Sequence, residues 1–393
     1  MSLPKRRAAA VVAVVLTAAL SAGSASPTTT NRGNPSAGTQ ASRADAVSRI
    51  DAALAPVVSL GALSGALLVA QAGTTVMTRS YGWSDSANGA PNRVDTRFRI
   101  GSITKQFTAM AVLLLQEQGK LRVTDPVCDY VTSCPSRWRP VTLHHLLAHT
   151  SGIADFYDRV DVLPHDRAVT PAHLVATIAG WPVEFPAGSR FRYSNSGYAI
   201  LGHVIERASH QRYADFLRAA IFEPLALHNT GHDDQPVTPA HAVGYQTNGL
   251  PADVDDASLA FAAGAMYSTV EDLARWTHAL LGRRFASRQS VDAMLGGQVS
   301  WCDSEGTLCR PGQCDLQPLS CGTYGYGWDH YNQPNRAGGS DRVMEHGGRI
   351  SGFHAGSRYY PDRQLYLVLL TNSDTLGSPY LLRTIWDAAT TTG

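Results

Sequence analysis

Strand-like runs stand at the two ends of this 393-residue chain, and helical patterns fill its middle. Short β-like runs bounded by Gly, Asn and Pro occur at residues 65–71, 75–82 and 96–100, and others return at 324–328, 352–360 and 365–371. Residues 142–218 read as mostly helical. Ser268-Thr269-Val270-Glu271 gives an N-cap pattern ahead of Leu273, Trp276 and Leu280. Further helices are predicted over 43–57 and 378–389. Strands drawn from both ends with helices between them imply one sheet assembled from distant segments, and the central helices then form a second lobe. The expected class is α+β, with an α/β lobe from about 43–130 and 265–393 and a helical lobe from about 131–264.

The N-terminus limits where such a fold would work. Lys5, Arg6 and Arg7 precede an apolar stretch over 8–20 and small residues over 21–26, the pattern of a signal peptide cleaved near Ala25. Residues 26–42 are Thr, Asn, Gly, Ser, Pro and Gln with almost no large apolar side chain, and read as a disordered linker. No later stretch is long and apolar enough for a membrane helix, so a secreted protein, extracellular or periplasmic and without a stable membrane anchor, is expected. Formal net charge is +1 and no basic stripe is present, which argues against nucleic acid as a partner.

Six cysteines in an exported chain suggest three disulfides. Cys128 and Cys134 are near enough to close a small loop. Cys302, Cys309, Cys314 and Cys321 crowd a Gly-, Asp- and Pro-rich insertion over 301–322, and their pairing stays open. His145 and His149, and again His228 and His232, have the four-residue spacing of helical metal ligands, but neither pair brings the H-E-x-x-H glutamate or an evident third ligand. No metal or cofactor is predicted, and His149 reads as a buried structural residue.

Lysine usage points to chemistry. The chain has thirty arginines and three lysines, and one of the three, Lys105, lies three residues after Ser102. Arginine stays protonated in proteins, whereas a desolvated lysine loses its proton near neutral pH and can serve as a base. Ile103, Phe107, Met110, Ala111, Leu114 and Leu115 follow helical spacing, so Ser102 opens a helix and Lys105 sits one turn along the same face. A serine hydroxyl beside such an amine is a candidate nucleophile. S-x-x-K alone is a weak signal, and Tyr193-Ser194-Asn195 and His346-Gly347-Gly348 follow it in order.

With these three motifs the chain resembles the serine β-lactamase and penicillin-binding protein superfamily. It is most similar to the class C-type branch, which holds D-alanyl-D-alanine carboxypeptidases, class C β-lactamases, esterases and D-aminopeptidases. Residues 146–152 (LLAHTSG), 222–225 (FEPL), 264–269 (GAMYST) and 326–328 (YGW) extend the likeness to about residues 45–389. The resemblance implies a β-lactamase/transpeptidase-like fold, an α/β sandwich with a central antiparallel sheet. It also implies catalytic roles for Ser102, Lys105 and Tyr193, with Ser102 acylated and either Lys105 or Tyr193 as the base. Asn195 would hold the substrate amide and orient Lys105. Gly347 and Gly348 would let substrate approach the strand, and the N–H groups of Ser102 and Arg349 would form an oxyanion hole. His346 would carry a pH-dependent charge, and the Arg349 side chain would bind a substrate carboxylate or line the mouth. The leading expectation is a D-alanyl-D-alanine carboxypeptidase-like hydrolase acting on peptidoglycan stem peptides. An esterase or a β-lactamase is the alternative, and a slowly acylating penicillin-binding sensor is the rival from another class.

Overall fold

A computed structural model describes residues 35–162, 168–234, 238–253, 257–302 and 321–391. The predicted signal peptide and most of the cysteine-rich insertion lie outside these residues. The chain divides into two compact units, Met1–Ser42 and Arg43–Gly393. The first helix, α1 (Pro35–Ser59), starts eight residues before the predicted position, within the stretch read as linker.

Eight antiparallel strands form the main sheet. In chain order they are β1 (Gly65–Gln71), β2 (Thr74–Tyr81), β3 (Val299–Cys302), β4 (Cys321–Tyr324), β5 (Asp329–Pro334), β6 (Ser340–Ile350), β7 (Phe353–Tyr360) and β8 (Leu365–Thr371). Their spatial order is β2-β1-β8-β7-β6-β5-β4-β3. The N-terminal hairpin closes onto the last strand, with Leu67 opposite Leu369 and Leu68 opposite Val368. Sequence reading missed β5 and β6, whose polar run 329–346 lacks the alternating apolar pattern of a half-buried strand.

Because side chains alternate across a strand, each face of the sheet buries its own cluster. Leu67, Val69, Leu367 and Leu369 pack with Ile50 and Leu54 of α1 and with Leu381, Ile385 and Trp386 of α10 (Ser378–Thr390). Ala66, Leu68, Val368 and Leu370 face the larger cluster on the other side. Its centre is α2 (Thr104–Glu117), in which eleven of fourteen residues are buried, and Phe107 stacks on Trp276 at 4.4 Å. The helical region supplies α3 (Leu143–Leu147), α4 (Pro171–Ala179), α5 (Asn195–Ser209), α6 (Tyr213–Leu217) and α7 (Ala257–Gly264). Then follow α8 (Val270–Leu281), capped by Thr269 within the predicted N-cap pattern, and α9 (Arg288–Leu295). Cys128 and Cys134 form a disulfide, as expected, and Cys321 is also disulfide-bonded.

Two features of β6 set up the site. Its pairing with β5 ends at Asp329 opposite Glu345, so from His346 onward only β7 holds it and the other edge is open. On that stretch Gly348 crosses the 3-10 turn Gly101–Ile103 that precedes α2. A Cβ on Gly348 would overlap the Ile100 carbonyl oxygen and lie 3.0 Å from the Ser102 nitrogen, whereas a Cβ on Gly347 would meet nothing nearer than the Ala355 oxygen at 3.7 Å. Gly348→Ala should destabilise the protein by about 1–3 kcal/mol, the usual cost of overpacking, and lower Tm by several degrees in thermal unfolding. Gly347→Ala should leave Tm nearly unchanged, and equal melting of the two variants would contradict this contact.

Candidate active site

Ser102 sits in the tight turn ahead of α2, and Lys105 follows in the helix's first turn with no exposed surface. The Lys105 Nζ has three polar neighbours: Ser102 Oγ at 3.0 Å, Asn195 Oδ1 at 2.8 Å and the Ala263 carbonyl at 2.8 Å. Two of these can only accept. A neutral amine has two N–H groups and one lone pair, so donating to Asn195 and Ala263 leaves the lone pair for the Ser102 hydroxyl proton. Burial lowers the Lys105 pKa to about 7, against an opposing pull from Asp155.

The orientation of Asn195 follows from its other contacts. At the first position of α5, both its backbone N–H and its Nδ2 donate to Asp155 Oδ2, at 3.2 and 2.9 Å. A carboxylate accepts only, so Oδ1 must be the atom turned to Lys105. Asn195 therefore holds Lys105, and one of its amide donors is committed to Asp155. Sequence reading missed Asp155. Its signal is an isolated acid in the run Gly152-Ile153-Ala154-Asp155-Phe156, next to a segment already singled out. Nothing in the side-chain pattern could reveal Ala263, which acts through its carbonyl. That carbonyl arrives just past a kink in α7 at Phe261, where φ is +33°, and the neighbouring Ala262 carbonyl accepts from Thr108 Oγ1 at 2.7 Å.

Tyr193 enters from the loop before α5. Its ring lies 4.7 Å from Lys105 Nζ, and its hydroxyl is buried. Burial raises the phenol well above its ordinary pKa, and the adjacent Ser102 hydroxyl pulls it back in part. Among the described residues the hydroxyl closes no hydrogen bond of normal geometry. The phenol keeps its proton at neutral pH, so of the two candidate bases the arrangement favours Lys105.

His346 departs from the expectation of a pH-dependent charge. Its Nδ1 lies 2.6 Å from the Gly347 carbonyl, so Nδ1 carries the proton, and Nε2 accepts from the Tyr324 hydroxyl at 3.0 Å. Burial, with Lys105 nearby, lowers its pKa to about 3, so the ring is neutral throughout the physiological range. Arg349 is also placed differently from a carboxylate anchor. Strand alternation puts its side chain with Val343 on the face opposite His346 and Gly348, and its charge acts on His354, its partner across the strand pair. Its backbone, by contrast, borders the nucleophile: a Cβ on Gly101, where φ is +49°, would come within 2.7 Å of the Arg349 nitrogen. The Ser102 N–H belongs to the first turn of a helix, where N–H groups lack intrahelical partners. The backbone nitrogens of Ser102 and Arg349 thus both lie at the crossing of the Gly101–Ile103 turn and β6.

The first histidine pair with ligand spacing, His145 and His149, makes backbone hydrogen bonds instead. His145 Nδ1 accepts the Thr142 N–H within the capping box of α3, and His149 Nδ1 accepts the Ser194 N–H.

The chain matches the family model described as Beta-lactamase over residues 47–390. A penicillin-binding protein of Bacillus subtilis (strain 168) is 26% identical over 333 residues, which is 79% of this chain and 68% of that protein. Esterase EstB of Burkholderia gladioli is 32% identical over 222 residues, 49% of this chain and 56% of the esterase. Among solved structures, a penicillin binding protein from Bacillus halodurans has a TM-score of 0.69 at 26% identity, covering 85% of this chain and 98% of that one. The D-amino acid amidase of Ochrobactrum anthropi SV3 shares the fold, with a TM-score of 0.71 at 24% identity, covering 88% and 98%. With Ser102, Lys105 and Tyr193 gathered at the joint of helix and sheet, this chain belongs to the beta-lactamase family, whose members are serine hydrolases.

Proposed function

We propose that the protein hydrolyses an ester or amide through an acyl-enzyme on Ser102, with neutral Lys105 as general base. The observation that carries this reading is the three-neighbour setting of Lys105, in which Asn195 Oδ1 and the Ala263 carbonyl can only accept and the Ser102 hydroxyl alone can give up a proton. Lys105 Nζ takes the Ser102 proton as Oγ attacks the substrate carbonyl, and the oxyanion rests on the N–H groups of Ser102 and Arg349. The bond to the leaving group then breaks. Tyr193 protonates the departing atom and recovers its proton from the Lys105 ammonium. Water then attacks the acyl carbonyl as Lys105 takes one of its protons, and Lys105 returns that proton to Ser102 Oγ as the ester bond breaks and the acid leaves.

The leaving group separates the possible substrates. A carboxypeptidase acting on a stem peptide must accommodate a terminal carboxylate, and His346 is neutral while the Arg349 side chain lies on the other face of the sheet. Esters and amides with uncharged leaving groups suit such a site better, and the likeness to an esterase supports them. The matches to penicillin-binding proteins favour a second reading, D-alanyl-D-alanine carboxypeptidase-like or β-lactam-binding. Export follows in either case from the N-terminal pattern, and no helix among the described residues is long and apolar enough to cross a membrane.

Two measurements test this reading. Turnover of p-nitrophenyl esters and amino-acid amides should exceed release of D-alanine from a D-Ala-D-Ala peptide, with an acyl adduct on Ser102 in intact-protein mass spectra. Faster D-alanine release, or a lasting penicillin adduct without ester turnover, would favour the second reading. Lys105→Arg retains charge without a usable lone pair and should lower kcat by about 10²- to 10⁴-fold. In the wild type the neutral fraction of Lys105 grows as pH rises through about 7, so kcat/KM should climb up to that pH and level off above it. A flat profile from pH 5 to 9 would contradict the base assignment.

A further inference from the structure

We infer that His149 is a positioning residue that clamps Tyr193 from both sides and sets the angle of its phenol toward Ser102. This inference rests on the proposed role of Tyr193. The carbonyl of His149 accepts the Arg192 N–H at 2.9 Å, and its Nδ1 accepts the Ser194 N–H at 3.1 Å. The residues before and after Tyr193 are thus tied to one histidine. Between these two bonds the Tyr193 ring lies over the imidazole, with centroids 4.3 Å apart and planes 34° from parallel. Phe191, Tyr198 and Tyr324 surround the same imidazole at 5.9, 5.1 and 4.7 Å, so it has little room to turn.

Two further observations separate His149 from an ordinary core residue. Its φ is +57°, a left-handed backbone that a β-carbon disfavours and that a general packing role does not require. Acceptance at Nδ1 puts the ring proton on Nε2, which is buried without a hydrogen-bond partner among the described residues. The tautomer that serves Ser194 is kept at the expense of the other nitrogen. Burial and the nearby Lys105 hold the ring neutral, which preserves the acceptor. Asn195, two residues along, has its own anchor in Asp155, so the clamp bears on Tyr193.

The test is a double-mutant cycle with two substitutions. His149→Asn tolerates the left-handed backbone and keeps an acceptor for Ser194 while removing the ring; His149→Phe keeps the ring and removes the acceptor. Each should lower kcat about 10- to 100-fold, the scale of a misplaced catalytic group, with KM changed less than about threefold. In a Tyr193→Phe background the same substitutions should change kcat by less than about threefold, because the group being aimed is gone. Equal losses in both backgrounds, unchanged kcat in the wild-type background, or failure of both single variants to fold would each overturn the positioning role. If Tyr193→Phe alone leaves kcat unchanged, the role of Tyr193 fails first, and the clamp fails with it.

Discussion

The site depends on burying an amine whose pKa burial lowers to about 7. A lysine with no exposed surface is costly as a cation, and the surroundings of Lys105 fit the neutral form, with two obligate acceptors for two N–H groups and a hydroxyl for the lone pair. Asp155 limits how far the pKa falls, which keeps the group near the pH at which a base is most useful. An arginine here would be charged at every pH. The scarcity of lysine in this chain is therefore informative at this position.

The same principle governs His346 and His149. Each imidazole has one nitrogen committed to the backbone of a neighbouring catalytic segment, the Gly347 carbonyl in one case and the Ser194 N–H in the other. The opposite polarity of these bonds fixes opposite tautomers. Both rings are neutral because they are buried, so the described site around Ser102 contains hydrogen bonds and dipoles more than fixed charge. Such a setting suits a reaction in which negative charge develops on one carbonyl oxygen and must be met by N–H groups already in place.

Much of this was legible in the residues. The Ser102 and Lys105 spacing, the helix that follows and strands β1, β2, β7 and β8 read directly, because periodicity reports which face is buried. Four strands did not: β3 was not read, and the predicted run 324–328 meets β4 only at Tyr324. Residues 329–346 pair as β5 and β6, yet buried positions hold the polar Gln333 and Asp341 while exposed ones hold Asn332 and Arg342, so the alternation is hidden. Gly348 was legible as a close approach, but the approaching partner is the Ile100 to Ser102 turn.

Taken alone, the sequence determined the class of fold and set Lys105 one helical turn from Ser102, since both follow from residue type and local spacing. The tertiary structure decided which atoms meet. Asp155, the Ala263 carbonyl and the Asn195 amide come from three separate segments to hold one nitrogen in place, and the direction of each hydrogen bond follows from which partner can only accept. It also decided that His346 is uncharged and that Arg349 offers the site its backbone, because burial and strand parity are properties of the assembled sheet. No local pattern of residues carries that information.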